Sequence, residues 1–498
     1  MLCTDRGVED MGQFRAAWDI ARRENLSLKR IAGVALQWLW MIMMFYSIVP
    51  YSFSSDVRGT LYMSLLISLV SMVVTLLFVA IIVRRESVGA SSPVVIGSAT
   101  MMSLGSVLTP FADPTTPTGM LSLGVGAIMT GTGSAVLFLC WVELLSGLGG
   151  RLALVELAFS LCVSFVAAYG LTFAPQVPAI LVIMFLPAAS AFLLKRSMNG
   201  EDRLVSVSEQ TLSHHTLALF VKALAGAALI GMLEGFFDVV SGFKTYAVQN
   251  VFGSYLLLAG FVGALAVLLI AVFLRRDGVF FAYRFAMLML CLGCLSTPFM
   301  ADNNTYSYAL IFGGYHCYVL VLCVVCIDVA TSFRVGPARA IGLGFFALYG
   351  GEAVGSTFAH SLLATGIPLF DLTVVTLVAV SLLFIAHLFL FTETDLIKIG
   401  IGEVNLVGNA RNHDVRREGG PVDPCIAIVA LYALSPRESE VLPLLLEGRT
   451  ISRIQETLFI SAGTVSTHIR HIYQKTGVNN RQELIDLAKD DILANEEM

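Results

Sequence analysis

The chain has 498 residues, of which 56% are hydrophobic and 13% charged, with a mean hydropathy of +0.80 and a formal net charge of −5. Soluble domains carry roughly 45–50% apolar and about 25% charged residues, so a wholly soluble multidomain protein is excluded. The net charge excludes little by itself, because such a chain distributes its charges between compartments.

Residues 1–30 form a charged N-terminal segment. No cleavable signal peptide is expected, since the first apolar run begins near residue 31 and is a full span. A hydrocarbon core of about 30 Å requires roughly 20 apolar residues per helix. Twelve such runs follow, at 31–52, 60–83, 92–111, 119–143, 151–173, 177–194, 216–240, 249–274, 279–299, 307–331, 338–365 and 370–391. The expected fold is therefore all-α, a polytopic membrane bundle over 31–391, followed by a small helical module. With the N-terminus inside, the N-terminal segment and the inner loops together hold 16 Lys and Arg residues, and the outer loops hold only Arg58 and Lys244. The positive-inside bias thus places both termini in the cytoplasm of a multi-pass cell-membrane protein, in contact with lipid.

Two landmarks recur along the membrane region. Span 3 ends in "LTPFADP" and span 9 in "STPFMAD", with Pro110 and Pro298 188 residues apart. The loops ahead of these spans read "VRRESVG" and "LRRDG", offset by 191. A six-plus-six duplication is expected, with halves at about 31–194 and 216–391. Paired halves of this kind place a binding site near the membrane midplane. By span count, repeat, basic loops and a long middle loop, the region resembles the major facilitator superfamily. The usual loop signature of that family is absent apart from Arg84 and Arg85. Cys291/Cys294 and Cys323/Cys326 form two C-x-x-C pairs, but both fall inside spans, where cysteine acts as a small apolar residue. No metal or cofactor is expected.

Charges inside spans are costly and mark functional candidates. Lys222, Glu234 and Asp238 lie in span 7, Arg284 in span 9, His316 in span 10 and Glu352 in span 11. Glu234 and Asp238, four residues apart, share a helix face. The facilitator resemblance implies a cavity lined by spans 1, 4, 7 and 10, which would hold Glu234, Asp238 and His316, with Arg284 as a counter-charge. These six residues are the candidate sensors of a small-molecule ligand of unknown identity. Glu156 is a candidate for a structural pair, His360 and His387 for core positions, and Trp38, Trp40 and Trp141 for packing rather than a ligand cage.

Residues 392–433 form a polar linker without helical period, which as a flexible chain spans roughly 35 Å. From 434 to 498 the pattern changes to short capped helices. Ser435-x-x-Glu438 is a capping box with Pro436 at the first helical position. Pro443 interrupts the first helix, and Gly448 ends it. Thr450 opens a second helix, Ser461 a third and Asn480 a fourth. Short helices with a tight turn between the second and third form a helix-turn-helix. At about 100° per residue, Val465, Ile469 and Ile472 fall on one face of the third helix, while Ser466, Thr467, Arg470 and Gln474 point away. Those four carry the hydroxyl, guanidinium and amide groups that base edges accept.

The stretch 434–485 resembles the LuxR-type helix-turn-helix domain, through Arg437, Glu438, Val441, Gly448, Ile454, Ser461, Thr464, Val465, Ile472, Lys475, Gly477, Val478 and Leu484, among others. The resemblance implies base contacts from Ser466, Thr467 and Arg470. It implies phosphate contacts from Thr464, Lys475 and Arg481, and dimerisation on double-stranded DNA through the fourth helix. Gln455 and Ser466 depart from the usual alanine and lysine. Segment 434–498 holds 7 basic and 10 acidic residues, but the third helix carries no acid. No catalytic constellation is present, so a one-component transcription regulator is expected rather than an enzyme. The alternatives are a transporter with a regulatory DNA-binding module, or a structural anchor.

Overall fold

The computed structural model describes residues 26–83, 87–89, 91–198, 214–240, 254–274, 278–297, 305–332, 335–364 and 372–385 of the membrane region. In the C-terminal region it describes 428, 432, 434, 436–458, 461–478 and 480–487. Contacts divide the chain into two units, 1–403 and 404–498. Every regular element among the described residues is helical.

Among its described residues, the first unit has twelve α-helices. They are α1 Leu28–Phe45, α2 Val57–Ile82, α3 Ser92–Leu108, α4 Pro117–Leu145, α5 Gly150–Leu171, α6 Gln176–Met198, α7 His214–Val240, α8 Ser254–Phe273, α9 Gly278–Ser296, α10 Thr305–Ser332, α11 Pro337–Ala364 and α12 Leu372–Ile385. Ten helices among the described residues are long and apolar enough to cross a membrane, and the chain is a multi-pass membrane protein. Each predicted span has its helix, although the ends move where proline intervenes. α1 stops at Phe45, ahead of a 3-10 turn, Val49–Tyr51, that contains Pro50. The outer surface is apolar because its solvent is lipid: Val70, Val74, Phe78 and Ile81 line one exposed face of α2.

The helices pair in the same way in both halves. In the first, α1 packs on α5 and α6, α2 on α4, and α3 on α4 and α6. In the second, α7 packs on α11 and α12, α8 on α10, and α9 on α10 and α12. Adding six to each number of the first set gives the second. The halves meet through α2 with α11 and α5 with α8, which are themselves related by the same shift. The duplication expected from two short landmarks is thus carried by the packing of the whole bundle.

Glycines set the closest approach. Gly231 and Gly235 on α7 face Gly351 and Gly355 on α11, two G-x-x-x-G stretches against each other. A Cβ on Gly231 would run into the Leu348 carbonyl oxygen, and one on Gly355 into that of Met232. Small residues of this kind replace the hydrophobic effect as the source of helix association in lipid, by letting backbones touch. Substituting Gly355→Leu is expected to separate α7 from α11 and to lower the thermal stability of the purified protein sharply. An unchanged melting profile would contradict this packing.

The "TPFADP" landmark ends α3. Thr109–Phe111 form a 3-10 turn, and the Asp113 carboxylate accepts from the Thr115 hydroxyl at 2.6 Å, the Thr115 amide at 2.9 Å and the Ser55 hydroxyl at 2.8 Å. The Thr115 hydroxyl leads in pulling the Asp113 pKa down to about 2. The arginine landmarks at 84–85 and 275–276, the second proline motif at 298–302, His387 and the linker 392–427 lie outside the described residues.

The second unit contains α13 Pro436–Leu446, α14 Ile451–Leu458, α15 Ala462–Thr476 and a helical stretch 481–487. Its core joins Ile428, Leu434, Val441, Leu442, Leu445, Ile454, Val465, Ile472 and Leu484. Pro443 is accommodated inside α13, which continues past it to Leu446. Gly448 (φ +86) and Gly477 (φ +73) then end α13 and α15 in the left-handed conformation. Beyond each, an amide reaches back five residues, Arg449 to the Leu444 carbonyl and Val478 to that of Tyr473.

Candidate functional site

The C-terminal site is one face of α15. Ser461 caps the helix by accepting from the Thr464 amide at 3.2 Å. Val465 and Ile472 are fully buried and Ile469 packs beside them, while Thr464, Ser466, Thr467, Arg470 and Gln474 are exposed. The Ser466 and Thr467 hydroxyls each donate at 2.9 Å to a carbonyl four residues back, Ala462 and Gly463. Their outward lone pairs therefore present acceptors. Arg470 and Gln474, one turn further on, present donors. The face thus offers both hydrogen-bonding polarities and no carboxylate, as a major groove requires.

Two residues assigned to phosphates by resemblance also hold the unit together. Lys475 Nζ lies 2.7 Å from Glu438 Oε2, and that carboxylate is only 5% exposed. His471 Nδ1 lies 3.7 Å from its other oxygen. The Arg481 guanidinium donates to the carbonyls of Leu445 at 2.7 Å and Arg449 at 2.8 Å, satisfying the end of α13. Lys475→Ala is accordingly expected to loosen the α13–α15 contact by about 1–3 kcal/mol, the cost of stranding a buried acceptor. Hydrogen exchange in α13 of the full-length protein checks this, and unchanged protection would assign Lys475 to the surface alone.

The membrane unit brings four of its six candidates together. The Tyr308 hydroxyl on α10 lies 2.8 Å from Asp238 Oδ1 and 3.3 Å from Glu234 Oε1. Tyr315 donates to Glu352 Oε2 at 2.7 Å. All three carboxyl groups are buried, as is His316, whose Nδ1 lies 2.9 Å from the Phe312 carbonyl oxygen. A cavity of about 40 Å³ opens beside them, lined by Trp38, Tyr46, Tyr315, His316, Tyr349 and Glu352 among others. Its walls come from α1 and α10, which are spans 1 and 10, and from α2 and α11 in place of spans 4 and 7. Glu234 and Asp238 do not line it; both accept from the Tyr308 hydroxyl.

Lys222 and Arg284 do not join this cluster. Lys222 is half-buried two turns into α7, and Arg284 lies on the exposed surface of α9 with its guanidinium 4.1 Å from the centre of the Phe280 ring. An exposed arginine stacked on its own helix is not the counter-charge of an acid buried within the bundle. Glu156 pairs with Arg30 in a bidentate bond, at 2.7 and 2.9 Å, and also accepts from the Ser27 amide. His360 stacks on Tyr62 with ring centres 3.8 Å apart. Trp40 and Trp141 bond Ser106 and Ser190, but Trp38 belongs to the cavity wall. Sequence reasoning missed the tyrosines, because a Tyr in an apolar span looks the same whether it packs or bonds a carboxylate. The C-x-x-C pairs lie in α9 and α10 as free thiols.

Residues 432–488 match the family model described as "Bacterial regulatory proteins, luxR family", and the C-terminal unit is a LuxR-type helix-turn-helix domain. Over 62 residues it is 43% identical to the HTH-type transcriptional regulator MalT of Yersinia pestis, and likewise to MalT of Yersinia pseudotuberculosis. The match covers 12% of this chain and 7% of each relative. In structure, the chain is similar to the E. coli fucose:proton symporter FucP, at 12% identity and a TM-score of 0.49, over 73% of this chain and 98% of that one. It is also similar to a bacterial homologue of the iron transporter ferroportin, at 11% identity and a TM-score of 0.47, over 75% and 97%. Neither reaches a TM-score of 0.5.

Proposed function

We propose that this chain is a membrane-embedded, one-component transcription regulator. The carrying observation is the fusion, in one polypeptide, of a LuxR-type domain whose α15 face is free of acids to a bundle with a buried carboxyl–tyrosine cluster at a cavity. Thr464, Ser466, Thr467, Arg470 and Gln474 read operator DNA in the major groove. Lys475 and Arg481 face the phosphates with whatever donors their internal bonds leave over. The MalT relatives, named as transcriptional regulators, support the DNA-binding half of this reading.

Both termini lie in the cytoplasm, where DNA is available, and the linker gives the domain its reach. A lone helix-turn-helix reads one half-site, so pairing of two copies on DNA is the step through which the bundle exerts control. Glu234, Asp238, His316 and Glu352 sense the ligand, and its presence biases which arrangement of the two halves prevails. Expression of a reporter from a bound promoter, compared between wild type and Arg470→Ala at equal membrane abundance, tests the reading. Regulation that survives Arg470→Ala would reject it.

The buried acids favour a second reading, a transporter whose C-terminal domain reports on transport. Uptake by reconstituted protein decides between them. If Glu234→Gln abolishes uptake and leaves promoter occupancy unchanged, transport is the primary activity.

A further inference from the structure

The cavity between the halves has a chemistry narrower than "small molecule". About half of its wall carries rings, among them Trp38 and Tyr46 from one half and Tyr315, His316 and Tyr349 from the other, and aliphatic side chains make up nearly all the rest. Glu352 is its carboxyl group, and Glu234 and Asp238, on α7, do not line it. Among the described residues, no Lys or Arg pairs with Glu234 or Glu352; their recorded side-chain bonds are to Tyr308 and Tyr315. Trp38 adds an independent signal. It is 3% exposed, it lines the cavity, and its Nε1 has no hydrogen-bond partner. Buried indole N–H groups ordinarily find one.

These features select among guests. An anion finds no Lys or Arg in this lining. A hard metal ion wants six or more oxygens around it, whereas these walls offer ring faces. An organic ammonium group is held by both a carboxyl group and aromatic faces. The unsatisfied Trp38 N–H further asks for an acceptor oxygen on the same guest. Size sets the scale. The cavity's roughly 40 Å³ exceeds the about 10–15 Å³ that one water needs, and falls well short of the ~150 Å³ that takes a benzene.

We infer that the cavity between α1, α2, α10 and α11 is a binding site for a small organic cation that also carries a hydroxyl or carbonyl oxygen, of the amino-alcohol class. The ammonium group sits against Glu352 among the rings of Tyr46, Tyr315 and Tyr349, and its oxygen accepts from Trp38 Nε1. Because the walls belong to both halves, the guest bridges them and stabilises one of their arrangements. This deepens the sensing role proposed above, and rests on it only for its consequence at DNA.

Thermal unfolding of the full-length protein in lipid nanodiscs tests binding without DNA. Ethanolamine is titrated against its neutral isostere, propan-1-ol, with sodium chloride matched throughout. The expected result is a saturable rise in Tm with ethanolamine and none with propan-1-ol. That rise is lost in Glu352→Gln and reduced in Trp38→Phe, while both variants keep the wild-type melting profile in the absence of guest. If either variant unfolds early, Tyr349→Phe and Tyr315→Phe supply the same comparison, with a weakened rise expected. No rise with ethanolamine, an equal rise with propan-1-ol, or a rise undiminished by these variants would overturn the site. Such a failure leaves promoter occupancy untouched, so it is distinguishable from failure of the regulator reading.

Discussion

Arg470→Ala is expected to weaken binding of the full-length protein to its operator by about 1–3 kcal/mol, or roughly 5- to 150-fold, and to relax preference at the base pair it contacts. The reason is geometric. Arg470 is exposed on the acid-free face of α15, without a protein partner among the described residues, one turn beyond Ser466 and Thr467. A guanidinium so placed donates two parallel bonds to a guanine edge, which no other residue of that face can replace. The variant should fold normally, because Arg470 takes no part in the core of Val465, Ile472 and Leu484. Mobility shift against an operator and its single-base variants measures the effect. Equal losses on every sequence would place Arg470 on phosphate instead, and no loss at all would remove it from the interface.

Arg30→Ala is expected to destabilise the membrane unit by about 3–5 kcal/mol, since truncating one partner of a buried pair strands the other charge. Here Arg30 and Glu156 are 4% and 1% exposed in their side chains. After the substitution the carboxylate still accepts from the Ser27 amide. The pair links the start of α1 to α5, where the Ser160 and Ser164 hydroxyls also donate to the α1 carbonyls of Ile31 and Ala35. The apolar double variant Arg30→Met/Glu156→Leu should recover most of the loss. A double-mutant cycle on melting in nanodiscs separates the cost of a stranded charge from the worth of the pair. Additive losses would show that the two residues do not act as one unit.

Much of the architecture was legible from the sequence, and for identifiable reasons. A lipid core requires about 20 apolar residues per crossing, so α2, α5 or α10 could hardly be missed. The duplication surfaced in Pro110 and Pro298 and was then carried by helix pairing throughout. In the C-terminal unit, angular position alone separated Val465 and Ile472 from Arg470 and Gln474, because a short amphipathic helix has one dry side. The remainder depended on contacts distant in sequence. Nothing local shows that Tyr308 bonds Asp238, or that Gly231 meets the backbone of α11. Nor does resemblance reveal that Arg481 is occupied by the carbonyls of Leu445 and Arg449. Trp38 is the sharpest case: indistinguishable from Trp40 in the sequence, it faces a cavity while Trp40 bonds Ser106.

The central claim is that the state of the bundle sets the occupancy of DNA. It is tested most directly by mapping the genomic sites bound by the intact membrane protein, comparing wild type with Glu352→Gln at matched membrane abundance. The account predicts the same sites in both, since α15 is unaltered, with occupancy changed several-fold in the variant. Identical occupancy at every site, across conditions that change it in the wild type, would contradict the coupling and leave the bundle as an anchor.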